Sequence, residues 1–177
     1  KKKLNNLVTI NRAEEKDIEL LAYLGKETYL QSHSNSGNFD EIIFFLELNY
    51  SPEKLKAELL HSDNYFHFIY YNNKPSGFSK IIFNAIHPNI EIQNVTELDK
   101  LYLLQEFYGH KLGFELLNFN IQFSKNNLQA GMWLYVWEEN HKAITFYTRN
   151  NFEIIGNHDF KISETRTNPN YHMLLRY

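Results

Sequence analysis

The chain has 177 residues, 43% of them hydrophobic, with 14 Phe, 12 Tyr and no cysteine. That supply can bury roughly 70% of the unfolded surface, which excludes general disorder; the missing thiols exclude a disulfide framework and a thiolate nucleophile, and fit a reducing compartment. A net charge of −3 argues against nucleic acid as the main partner, and with no leader pattern and no apolar run near the ~18 residues of a membrane span, a soluble, unsecreted, cytoplasmic protein is expected.

Residues 7–12 alternate and read as a first strand. Residues 14–31 place Ile18, Leu21, Tyr23, Leu24 and Thr28 at helical spacing, with acids in the first turn. A polar Ser/Asn/Gly stretch, 32–38, predicts a loop. Residues 39–49 read as an apolar helix, and Ser51-Pro52 opens another, with Ser51 as cap and Pro52 in the first turn. Strands at 65–71 and 76–84 flank the turn Asn72-Asn73-Lys74-Pro75 and form a hairpin. After a loose segment, 87–94, comes a strand at 95–104, then an amphipathic helix, 109–127, with Leu112, Leu116, Phe119 and Phe123 on one face. A short strand at 133–137 precedes a helix at 141–150 capped by Asn140. Asn151 stands where a left-handed residue ends a helix. Strands at 152–155 and 171–176 close the order β-α-α-α-β-β-β-α-β-α-β-β. The expectation is an α/β (α+β) fold: one domain over 1–177, with a mixed, mostly antiparallel sheet of about seven strands and helices on both faces.

Where the strand at 95–104 runs into the helix, the turn carries Gly109 and Gly113. Free amides at a helix start, reinforced by the helix dipole, suit a phosphate or pyrophosphate. Alone, the segment reads more readily as an ordinary strand-to-helix turn. Its weight rises with the stretch from Asn140 to Phe152, which carries Asn140, Ala143, Tyr147 and Phe152 at fixed spacing.

Together these segments resemble the acyl-CoA-binding core of the GNAT N-acetyltransferase superfamily, over residues 95–155. The family's loop, Arg/Gln-x-x-Gly-x-Gly/Ala, is matched at Gly113, while Tyr108 and Lys111 replace the Arg/Gln and the inner glycine. Its Asn-x-x-Ala-x-x-x-Tyr-x-x-x-Gly-Phe is matched except at Asn151. Tyr-x-Gly-x-Lys-x-Gly, with Val136-Trp137-Glu138, is similar to PaiA-like spermidine/spermine acetyltransferases.

The resemblance implies an acetyl-CoA co-substrate and no metal. The pyrophosphate would sit on Tyr108, Gly109, His110, Lys111, Leu112, Gly113 and Phe114. The pantetheine arm would pair with the backbone of Leu101, Tyr102 and Leu103 and with Asn140, near Ala143 and Phe146. Tyr147 would be the general acid toward the departing thiolate; a phenol, with a pKa of about 10, is protonated at pH 7. Glu97 falls where several members keep the base, with Asp99 on the same strand face, although both read equally as surface acids. Glu27, Asp40, Glu41 and Glu47, among Tyr29, Phe39, Phe44, Phe45 and Tyr50, suit a polycation or equally a pair of ordinary amphipathic helices; it is the PaiA-like resemblance that makes a primary amine such as spermidine or spermine the expected acceptor, and a homodimer is compatible. A protein or peptide amine and a non-catalytic acyl-CoA-binding module are the alternatives. The eight histidines show no metal-ligand spacing and read as ordinary surface or core residues.

Overall fold

Strands and helices follow one another in the expected order. The structure, a computed structural model, describes residues 7–33, 38–161 and 164–177. Among these, the strands are β1 (Val8–Arg12), β2 (Asn64–Tyr71), β3 (Lys74–Ile82), β4 (Val95–Leu103), β5 (Gly131–Trp137), β6 (Glu153–Lys161) and β7 (Thr167–Arg176). The helices are α1 (Ile18–His33), α2 (Phe39–Tyr50), α3 (Pro52–Leu60), α4 (Leu112–Asn126) and α5 (His141–Arg149). The strands form one mixed sheet in the order β1-β2-β3-β4-β5-β7-β6, parallel at β4–β5 and antiparallel at β1–β2, β5–β7 and β6–β7.

Contacts divide the chain into two compact units: the described residues of Lys1–Ile81 with Lys100–Asn120, and Ile82–Asp99 with Ile121–Tyr177. In the first unit, β2 is covered on both faces, so its burial is continuous rather than alternating. Phe66 and Phe68 join Leu21, Leu24, Ile42, Leu46 and Leu55 of α1, α2 and α3. Ile69, one step out of phase, packs with Leu112 and Leu116 of α4, and His67 lies edge-on to Phe119 at 4.8 Å. Period-two geometry thus places α1–α3 on one face and α4 on the other. In the second unit Val95, Trp133 and Leu174 of neighbouring strands form a core with Ile90, while Thr96, on the opposite face of β4, bonds Ser124 of α4 at 2.7 Å.

Local departures from expectation have physical causes. The hairpin turn is Asn72-Asn73 alone, both with positive φ (48° and 64°), the two-residue turn whose twist matches the strands; Lys74 and Pro75 already belong to β3. Ser32 is helical, Ser34, Asn35, Ser36 and Gly37 of the expected loop lie outside the described residues, and Asn38 caps α2 by accepting the Glu41 amide. Tyr23 is 54% exposed and is not part of the α1 core stripe. The Ser51 cap stands, its Oγ accepting from Lys54 N at 3.3 Å with Pro52 in the first turn. The last two strands run longer than expected because they pair with each other from Glu153↔Leu174 to Lys161↔Thr167.

Candidate active site

In the first unit, β4 ends at Leu103 and does not flow straight into a helix. Leu104 is buried, its N–H bonded to Ser76 O, and Gln105–Phe107 makes a short 3-10 turn. α4 starts at Leu112, not at Gly109, because Gly109 (φ 86°) and Lys111 (φ 58°) are left-handed and cannot continue a right-handed helix. The Tyr108 N–H is bonded to Gln105 O at 3.0 Å, so the expected cradle loses that amide. The amides of Leu112, Gly113 and Phe114 form the first turn of a 15-residue helix and have no acceptor inside it. Those amides, the helix dipole and the exposed Lys111 are groups that could hold an anion.

The turn is held on both sides. His110 stacks on Tyr71 at 4.5 Å, and Phe107 packs into both apolar clusters of the unit. Gln31, at the end of α1, accepts the Gln105 N–H at 2.8 Å, and the Gln105 side chain donates back to Gln31 O. Upstream, Leu101 and Leu103 face α4, while Tyr102 lies against Phe78. Gly77 of β3 lets the two backbones approach: a Cβ there would collide with the Tyr102 carbonyl and the Leu103 side chain.

In the second unit the β4–β5 ladder covers Val95↔Gly131 to Glu97↔Trp133. Glu97 and Asp99 are half-buried on the same face of β4. Asn140 caps α5 through Oδ1, which accepts the Ala143 amide at 3.1 Å; its side-chain NH₂ is the group able to donate to a ligand amide. Ala143 and Tyr147, one turn apart, are half-buried, and Tyr147 meets Phe146 at 5.3 Å and Phe152 at 5.5 Å, both edge-on. The spacing from Tyr147 to Phe152 has a structural cause. Phe152 N–H bonds Tyr147 O and Asn151 N–H bonds Thr148 O, with Asn151 at φ 68°, the hydrogen-bond pattern of a Schellman cap. The cap clamps Phe152 onto the Tyr147 ring.

One cluster was not legible as a site. Tyr135↔His172 and His158↔Asn170 are cross-strand pairs, which put Tyr135, His172 and His158 on one sheet face with Trp133 and Phe160. His87, from the loop after β3, lies against His172 with ring centroids 4.0 Å apart and planes tilted by 41°, and bonds Tyr135 Oη through Nε2 at 2.5 Å. Burial, then His87 and His158, push the His172 pKa down to about 4. Burial and then His158 lower that of His87, while burial and then Glu97 raise that of Tyr135.

The residues expected to meet a polycation are scattered in role. Glu47 pairs with Lys26 at 3.5 Å, Tyr29 stacks between His33 and Phe45, and Tyr50 is buried under Gly25. Phe39 and Phe44 stay exposed. Among the described residues no group of three or more His, Asp or Glu could hold a metal, and no helix is long and apolar enough to cross a membrane.

Comparison with known proteins converges on one family. The sequence pattern of the acetyltransferase (GNAT) family matches residues 29–152. The chain is 24% identical, over 90% of its length and 92% of the relative's, to an uncharacterized N-acetyltransferase in the pepI 3′ region of Lactobacillus delbrueckii subsp. lactis. It is also 24% identical to a spermidine N(1)-acetyltransferase of Thermoplasma acidophilum, over 83% of this chain and 89% of that one. The fold is similar to that of the PaiA N-acetyltransferase of Thermoplasma acidophilum in complex with coenzyme A, with a TM-score of 0.76 and 24% identity over 96% of this chain and 99% of that one. The family pattern spans both the Gly109–Gly113 turn and the capped Tyr147 helix, and the chain belongs to the acetyltransferase (GNAT) family as an acetyl-CoA-dependent N-acetyltransferase.

Proposed function

We propose that the acceptor is a primary amine, preferentially a polyamine such as spermidine, acetylated by direct attack in a ternary complex. The pyrophosphate of acetyl-CoA sits on the amides of Gly109–Phe114 beside Lys111. For the pantetheine arm, the first unit offers the backbone of Leu101, Tyr102 and Leu103, and the second offers the Asn140 NH₂ with Ala143 and Phe146. An alkylammonium has a pKa of about 10.4 and must lose a proton before it can attack. Glu97 takes that proton, the free amine forms a C–N bond at the thioester carbonyl, and the C–S bond breaks as the tetrahedral intermediate collapses. The departing thiolate takes the proton of the Tyr147 hydroxyl, and the second proton of the new amide nitrogen leaves to solvent, from which the phenol is restored.

The observation that carries this reading is the cap at Tyr147–Phe152, which fixes a phenol-bearing ring at the helix position the family uses for its acid. The polyamine preference is supported by the spermidine acetyltransferase relative and by the PaiA neighbour. A peptide amine is the second reading, favoured by Phe39, Ile43, Phe44 and Leu48, all exposed on α2. Steady-state rates with spermidine, spermine, lysine and a peptide amine separate the two. The polyamine reading expects the highest kcat/KM with spermidine or spermine; a peptide preferred by about tenfold or more would replace it.

A further inference from the structure

His172 is fully buried, yet neither ring nitrogen has a hydrogen-bond partner among the described residues. Buried polar atoms are nearly always satisfied, and an orphan in a native fold signals a function or an occupant. Its ring lies among rings that also carry polar atoms: His87 at 4.0 Å, Tyr135 at 5.0 Å and Trp133 at 5.2 Å between centroids.

The protonation of this group follows from its bonds. His87 Nδ1 accepts the Asn89 N–H at 3.1 Å, so the neutral ring carries its proton on Nε2 and donates it to Tyr135 Oη. The phenol oxygen keeps a second lone pair, and its own hydrogen is free to turn elsewhere. His87 and His172 are both held toward the neutral form by burial, so neither sets a positive charge against an incoming cation. Tyr135 stands edge-on to Phe160 at 87°, and Phe160 edge-on to His158 at 74°, which offers ring faces at right angles. Such faces attract ammonium groups. Glu97 supplies the negative charge: its carboxylate acts on the Tyr135 phenol, and its strand partner is Trp133, two residues before Tyr135 on the same face.

We propose that this face, with Tyr135 and Phe160 as walls, His87 as clamp and His172 beneath, is where the acceptor's ammonium group docks beside Glu97. The inference rests on the amine-acceptor reading above and assigns the amine to the β5–β7 face rather than to the acids of α1 and α2. One ammonium N–H goes to the open lone pair of Tyr135 Oη, while His172, fully buried, packs behind that phenol and senses the amine through it. Tyr135 is then a substrate-binding residue that positions the amine for Glu97.

The test combines kinetics with imidazole ¹H–¹⁵N spectra of the full-length protein saturated with coenzyme A, titrated with spermidine, spermine, lysine amide and a peptide amine. The proposal expects the best-bound amine to move the His172 and His87 ring signals, and Tyr135→Phe to abolish that response. Tyr135→Phe should also raise the amine KM by about tenfold or more, the size of one hydrogen bond to a charged group, while calorimetric acetyl-CoA affinity stays within about twofold. If Tyr135→Phe does not fold, His87→Gln reads out the same KM. Ring signals unmoved by every amine would overturn the proposal, whether or not turnover is seen. So would an unchanged amine KM in Tyr135→Phe alongside a crippled Glu97→Gln, a result that leaves the acetyltransferase reading intact.

Discussion

Replacing Tyr147 by Phe separates the chemistry of this side chain from its packing. The ring contacts with Phe146 at 5.3 Å and Phe152 at 5.5 Å survive, as does the Phe152 N–H bond to the residue 147 carbonyl. Stability should therefore stay within about 1 kcal/mol of the parent and acetyl-CoA affinity within about twofold. Only the hydroxyl goes. General acid assistance is worth about 10² to 10⁴ in rate, or roughly 2.7–5.5 kcal/mol of barrier, so kcat should fall by that factor. Tyr147→Ala should lose the same chemistry and also the edge-on contact that anchors the cap, costing about 0.5–1.5 kcal/mol for the aromatic pair before any cavity term. Free coenzyme A release gives kcat, thermal unfolding gives stability and calorimetry gives affinity. A Tyr147→Phe enzyme within a factor of two of the parent would refute the acid role and leave the Tyr as packing.

Asn151→Gly should raise stability by up to about 1 kcal/mol, since φ 68° strains any residue with a Cβ, whereas Asn151→Val should lower it by about 1–2 kcal/mol; equal melting temperatures for all three proteins would contradict the cap. Gly109 has φ 86° but open space around an added Cβ, so Gly109→Val should fail through its backbone alone, costing about 1–2 kcal/mol and weakening acetyl-CoA binding; unchanged calorimetric affinity in the folded variant would remove the turn from the site. Stability should fall as pH drops from about 6.5 toward 4, because burial, helped by Arg12 at His67 and by His87 and His158 at His172, lowers both pKa values to about 4. These groups are neutral when folded and take up protons on unfolding, so each contributes a loss of up to about 1.4 kcal/mol per pH unit across that window. Denaturant unfolding at pH 7 and 4.5 checks this, and an equally steep fall in His67→Gln would show that residue uninvolved.

Local signals were readable wherever one or two residues decide the backbone. Ser51 with Pro52 announced α3, and Asn151 before Phe152 announced the end of α5, because caps are written in adjacent side chains. The two segments that carry the family resemblance were legible for the same reason: the Gly109–Gly113 turn and the Asn140–Phe152 helix are each continuous in the chain. The start of α4 was misplaced because Lys111 adopts a glycine-like φ that its residue type disfavours. The His87, Tyr135, His158 and His172 cluster was invisible since its members come from a loop and three strands. Only the registers Tyr135↔His172 and His158↔Asn170 put three of them on one face, and no spacing in the sequence encodes that pairing. Glu97 lay between these cases. Its type and strand were clear, but its charge gains meaning from Trp133 and Tyr135, which arrive through the β4–β5 ladder.

The most direct test of the central claim is to incubate the protein with acetyl-CoA and spermidine and follow both products, coenzyme A by thiol titration and N-acetylspermidine by mass spectrometry. The account predicts that they form in equal amounts, and that Glu97→Gln loses most of the rate at neutral pH. That variant should regain rate as pH rises toward the amine pKa of about 10.4, where free amine no longer needs the base. Tight acetyl-CoA binding with no acetylated product from spermidine or any other amine would contradict the account and make the protein a binder of the cofactor, not an enzyme that uses it.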